Sequence, residues 1–92
     1  MSYNFEISPE LRKIFDKLAR KDSALASAVS KKISQIVNST EFTIEHFKNL
    51  RHGMSHLKRA QVGSFVLTFK LKSNIIIFED FDHHDRIYAK YR

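Results

Sequence analysis

A chain of 92 residues with a formal net charge of +6, no cysteine and one proline has room for one modest core and excludes disulfide and thiolate chemistry. Its 42% hydrophobic content argues against disorder, and no apolar run nears the roughly 20 residues a membrane helix needs. The N-terminus lacks a signal-peptide pattern, so a single cytoplasmic domain over residues 1–92 that engages no membrane is expected.

Tyr3 to Ile7 reads as a short strand, with Tyr3, Phe5 and Ile7 on one face. Ser8-Pro9-Glu10 then marks a helix start: Ser8 as N-cap, Pro9 in the first helical position and Glu10 in the first turn. Leu11, Ile14, Phe15 and Leu18 form a helical stripe that runs out near Ala19 to Lys21. Asp22 is placed to cap a second helix carrying Leu25, Val29, Ile33 and Ile36. The short break between the two predicts a helical hairpin.

Asn38-Ser39-Thr40 ends that hairpin, because short polar side chains compete for helical backbone bonds. Thr43 to Leu50 fits either a helical turn capped by Thr43 or extended chain, anchored by Phe47 and Leu50. From Ser55 onward the pattern is that of strands. Leu57 to Val62 is polar and basic, and Gly63-Ser64 marks a turn. Phe65, Leu67, Phe69 and Leu71 alternate with Val66, Thr68, Lys70 and Lys72, the signature of a half-buried strand. A second turn at Lys72 to Asn74 leads to Ile75–Phe81, rich in β-branched and aromatic residues. The fold class expected is α+β: an N-terminal strand, a helical hairpin, then a three-stranded antiparallel meander packed in two layers with its other face partly open.

Sixteen Lys and Arg against ten acids point to a polyanion or an acidic protein partner. No acid lies between Glu45 and Glu79, whereas Lys48, Arg51, Lys58, Arg59, Lys70 and Lys72 fall there. The last strand exits into Glu79-Asp-Phe-Asp-His-His-Asp-Arg-Ile-Tyr88, where ionisable groups crowd. A metal would need three or four converging ligands, and neither these residues nor His52 and His56 show a tight metal spacing. No metal or other cofactor is expected. A histidine suits general acid–base work on a phosphodiester, tyrosine can stack on bases, and arginine clamps a phosphate. Arg59, His83 and Tyr88 are therefore the candidate catalytic set, expected around one positive concavity on the helix-free face. Alternative readings of the same residues are structural: a satisfied histidine, an edge aromatic and a solvated basic face.

Three short motifs, NLRHGM at Asn49–Met54, KRAQVGSFVLTF at Lys58–Phe69 and HHDRIY at His83–Tyr88, together with the order of elements, resemble the RelE/ParE toxin superfamily over nearly the full chain. The resemblance implies the toxin half of a toxin–antitoxin pair and ribosome-dependent cleavage of messenger RNA without a metal. In the ParE branch it implies inhibition of DNA gyrase, and a catalytically silent antitoxin-binding domain is a further alternative. It implies as partners a small cognate antitoxin, the ribosome and messenger RNA. By the same resemblance Arg59, His83 and Tyr88 are catalytic, with Lys58, Gln61, His84, Arg86, Lys48 and Arg51 as RNA contacts. The chain departs from the family pattern where Gln61 stands for a second strand cation and Val66 for the arginine usual in that strand. His84 also occupies a position where arginine is common.

Overall fold

The computed structural model describes residues 3–40, 43–44, 47 and 57–90. Strand β1 (Asn4–Ile7) leads into helices α1 (Pro9–Lys21) and α2 (Ser23–Val37), which form the expected hairpin. Strands β2 (Lys58–Val62), β3 (Phe65–Lys72) and β4 (Ile75–His83) follow, and a helix α3 (His84–Lys90) ends the described chain. The two helix starts are built as their sequences predict. The Ser8 side chain accepts from the Leu11 amide, Pro9 opens α1, and Asp22 accepts from the Leu25 amide at the start of α2. After α2, the Thr43 amide donates to Thr40 Oγ1, so Thr40, not Thr43, caps the turn there.

The sheet order is β1-β4-β3-β2. The antiparallel meander is as expected, and β1 adds a fourth strand parallel to β4 through the hairpin crossover. The hairpin packs on one face over Leu67, Phe69, Ile76, Phe78 and Phe81, together with Leu11, Val29 and Ile36. Each such fully buried side chain contributes about 1.5–3 kcal/mol relative to exposure. The alternation along β3 is faithful, since Leu67 and Phe69 are buried in this core and Phe65 and Leu71 pack at its margin.

Strand β4 does not keep one alternation. Its register with β3 shifts between Thr68 and Phe69: Phe69 faces Phe78 but Thr68 faces Asp80, which leaves Glu79 as an extra residue. Such a bulge inverts the faces of everything beyond it. Ile76 and Phe78 point to the hairpin before it, and Phe81 does so after it. Asp80 and Asp82 are thereby turned to the opposite face, opposite Thr68 and Val66. Unbulged, β4 would drive Asp80 into the apolar core.

That opposite face is not free of helix, which corrects the expectation. Helix α3 lies on it, and Ile87 and Tyr88 pack with Leu57 and Val66 in a second small cluster. Among the described residues no helix is long and apolar enough to cross a membrane.

Candidate functional site

Arg59 and Gln61 on β2 pair with Thr68 and Val66 on β3, which pair in turn with Asp80 and Asp82 on β4. Two rows therefore cross the face that carries α3, Arg59-Thr68-Asp80 and Gln61-Val66-Asp82. Helix α3 sits over the second row. The Arg59 guanidinium lies over the Tyr88 ring, 5.8 Å from its centroid, within cation–π range. The His84 ring meets the same tyrosine edge-on at 4.7 Å. His84 and Tyr88 stand four residues apart on one helix, and that spacing places them on the same side.

Asp85 orients the histidine. His84 Nδ1 is 3.3 Å from Asp85 Oδ1, and a carboxylate can only accept there, so in the neutral ring this contact favours the tautomer with the proton on Nδ1 and Nε2 as the acceptor. His84 is 46% exposed at its side chain, open to a ligand approaching the tyrosine.

Helix α3 is tied down by ion pairs to the acids that the bulge turns toward it. Lys90 Nζ reaches Asp80 Oδ2 at 2.9 Å and Asp82 Oδ2 at 3.3 Å, and Arg86 stands 3.7 Å from Asp82. Burial works against the Lys90 charge, but hydrogen bonds and attraction from Asp80 and Asp82 outweigh it and raise its pKa. These acids also accept from the following backbone amides, Phe81 and His83, which fixes them against the strand.

Of the expected catalytic set, Arg59 and Tyr88 come together and His83 does not join them. The His83 ring lies edge-on to Phe65 at 5.7 Å, and Phe65 belongs to the hairpin-side core. Its Nδ1 accepts from the Asp85 amide. Gln61 and Arg86 are on the α3 side of the sheet, with Gln61 bonded to the Gly63 carbonyl. Lys58 faces the hairpin side, where its Nζ approaches the Phe47 carbonyl at 3.4 Å. Lys48, Arg51, His52 and His56 lie outside the described residues. Among the described residues no three acids or histidines lie close enough to hold a metal ion. The face is also less positive than the sequence suggests, because Asp80, Asp82 and Asp85 stand among Arg59, Arg86 and Lys90. The roles of Asp80, Asp82 and Lys90 had no local sequence signal, since they depend on the bulge.

The chain is similar to known proteins in three ways. A family model described as F-box domain matches residues 9–45, the helical hairpin and the residues just after it, and does not extend to β2, β3 or β4. A Methanocaldococcus jannaschii protein named "Putative toxin RelE4" is 43% identical over 96% of this chain and 93% of its own length. A Methanosarcina mazei protein without a functional name is 36% identical over 94% of the chain and 99% of its own. Among solved structures, Escherichia coli YafQ superposes with a TM-score of 0.71 at 19% identity, over 94% of this chain and 98% of YafQ. The toxin–antitoxin complex RelBE2 of Mycobacterium tuberculosis gives a TM-score of 0.63 at 16% identity, over 91% of this chain and all of the matched one. The two structures share the fold, and the M. jannaschii relative is similar in sequence along nearly its whole length: this chain belongs to the RelE/ParE toxin superfamily.

Proposed function

We propose that the chain is the toxin of a toxin–antitoxin pair and a ribosome-dependent messenger-RNA endoribonuclease, cutting by metal-independent phosphodiester transfer at Arg59, His84 and Tyr88. The observation that carries this reading is the convergence of a guanidinium and an imidazole on one tyrosine ring. Nε2 of His84 takes the proton from a ribose 2′-hydroxyl, whose oxygen attacks the adjacent phosphorus. Arg59 offsets the charge gathering on the phosphoryl oxygens. The Tyr88 hydroxyl returns a proton to the departing 5′-oxygen, leaving a 2′,3′-cyclic phosphate and a 5′-hydroxyl. Gln61 and Arg86 flank this set as RNA contacts, and Lys48 and Arg51 are assigned the same role. His83 and Lys58 are turned to the other side of the sheet, so His83 is left out of the reacting set and Lys58 out of the RNA contacts beside it. A small antitoxin with an acidic segment is the proposed partner that neutralises the toxin.

Primer extension on ribosome-associated transcripts tests the reading. Induction of the wild type should create new 5′ ends, and Arg59→Ala and Tyr88→Phe should suppress them. A wild type that leaves transcripts intact would overturn it. Burial of Val66 at 1% exposure, where the resemblance leads one to expect arginine, supports two alternative readings: a non-nucleolytic toxin directed at gyrase, and a silent antitoxin-binding domain. DNA damage with intact transcripts would mark the former, and benign expression with tight antitoxin binding the latter.

A further inference from the structure

Helix α3 begins without a Ser, Thr, Asp or Asn in the capping place, which falls to His83. A cap takes the amide of the second or third helical residue on its side chain, and His83 does so with a ring nitrogen. The Asp85 amide donates to its Nδ1 at 3.3 Å. The backbone at this corner is fixed as well: the His84 amide donates to the Ser64 carbonyl at 2.9 Å, and the His83 amide to Asp82 Oδ1 at 2.8 Å. The imidazole itself stands on a column of rings. It lies edge-on to Phe65 at 5.7 Å, and Phe65 stacks at 5.2 Å on Phe81, which is buried.

A ring nitrogen that accepts carries no proton, so the proton of neutral His83 sits on Nε2. In the next residue the contact of His84 Nδ1 with Asp85 Oδ1 favours the opposite tautomer. Asp85 joins the two, since its amide serves His83 and its carboxylate serves His84. His83 Nδ1 is 4.0 Å from Asp85 Oδ2, beyond hydrogen-bond distance, so neutral His83 leaves that carboxylate to its neighbour. An apolar side chain at this position would leave the Asp85 amide without its cap.

We infer that His83 is a positioning residue acting through Asp85: its Nδ1 fixes the first turn of α3, so that the Asp85 carboxylate holds His84 in the tautomer with Nε2 unprotonated. It touches neither Tyr88 nor the reacting atoms. The consequence for cleavage rests on the function proposed above; the coupling of the two histidines does not.

Two variants of the full chain separate the acceptor from the ring. His83→Asn keeps an acceptor and gives up the contact with Phe65, whereas His83→Phe keeps a ring there and has no acceptor. Thermal melts show that each folds. Hydrogen exchange at the Asp85 amide and the ring-nitrogen chemical shifts of His84 read the coupling with no RNA present, and transcript cleavage on ribosomes reads its consequence. His83→Asn should stay within about twofold of wild type in exchange and cleavage and keep the His84 proton on Nδ1. In His83→Phe, exchange should quicken about fivefold, the factor expected for a lost N-cap, the His84 shifts should move to those of a tautomer mixture, and cleavage should fall a few-fold. The reverse pattern, with phenylalanine serving and asparagine failing, overturns the inference and makes His83 a packing residue. Unchanged exchange and His84 shifts in both variants overturn it too. If exchange and the His84 shifts follow the acceptor in a protein that cuts no transcript, the coupling stands and the nuclease reading falls.

Discussion

His83 and His84 are neighbours in sequence and pack against rings on opposite faces of the sheet: His83 lies against Phe65 and His84 against Tyr88. The strand ends at the first and the helix begins at the second. Beyond the Glu79 bulge, Phe81 and His83 share the hairpin side. The next residue starts α3 and lies with Tyr88 on the opposite side of the sheet.

That division predicts unequal mutants. Replacing a general acid or base removes about 10²–10⁴ of rate. His84→Ala is expected to lower transcript cleavage on ribosomes by at least about 10²-fold, with His83→Ala remaining within a few-fold of wild type. Quantitative primer extension at matched protein levels reads both. Equal losses would assign the chemistry elsewhere.

Most of the architecture was legible because it rests on local periodicity. Ser8-Pro9-Glu10 and Asp22 announce their helices, and Phe65 to Lys72 alternates without a break. Two features were not legible. Glu79 is an ordinary residue in a strand-like run, and its bulge arises from tertiary pairing with β3. Helix α3 is only seven residues long, too short to form from propensity alone. It is held by Ile87 over Val66 and by Lys90 on Asp80, partners that the bulge and the fold supply. Of the expected trio, Arg59 and Tyr88 therefore lie together, and the histidine beside them is His84, one residue beyond His83.

Val66 carries the floor beneath Tyr88. It is 1% exposed and shares its cluster with Leu57, Ile87 and Tyr88. Val66→Ala removes two buried methyl equivalents and should cost about 2 kcal/mol, lowering Tm by about 10 °C in a domain of this size. Val66→Arg should cost more, because a buried guanidinium there must lift α3 to reach water. Restoring the family's common arginine is thus expected to reduce cleavage instead of enhancing it. Thermal melts and transcript cleavage on the same preparations check both variants.

Lys90 gives the fold a dependence on alkaline pH. Burial opposes its charge, and the hydrogen bonds and attraction of Asp80 and Asp82 more than compensate, so its folded pKa is raised. A group raised on folding contributes stability that is fully present below its unfolded pKa, about 10.4 for lysine, and lost as pH climbs through the folded value. Lys90→Met should be less stable than wild type at pH 7, and the gap should narrow once pH exceeds about 10.4. With its side chain 46% exposed, solvent screening limits the effect to about 1 kcal/mol or less. Urea midpoints from pH 7 to 11 measure it; a gap that widens with pH would contradict the assignment.

Ser8 joins the start of α1 to the bulge that shapes the site. Its hydroxyl accepts from the Leu11 amide at 3.1 Å and donates to the Glu79 carbonyl at 2.8 Å, while its own amide bonds the Phe78 carbonyl at 3.0 Å. Capping alone is worth about 1 kcal/mol, and losing the donor to a part-buried carbonyl adds about 1 kcal/mol. Ser8→Ala should therefore cost about 2 kcal/mol in denaturant unfolding. Ser8→Asp separates the two roles: it can still cap, but an ionised carboxylate cannot donate to Glu79 and repels its carbonyl oxygen. Ser8→Asp is expected to recover less than half of the loss and to speed amide exchange at Phe81 and Asp82, just past the bulge. If aspartate serves as well as serine, the hydroxyl is only a cap, and the bulge is held by the strands alone.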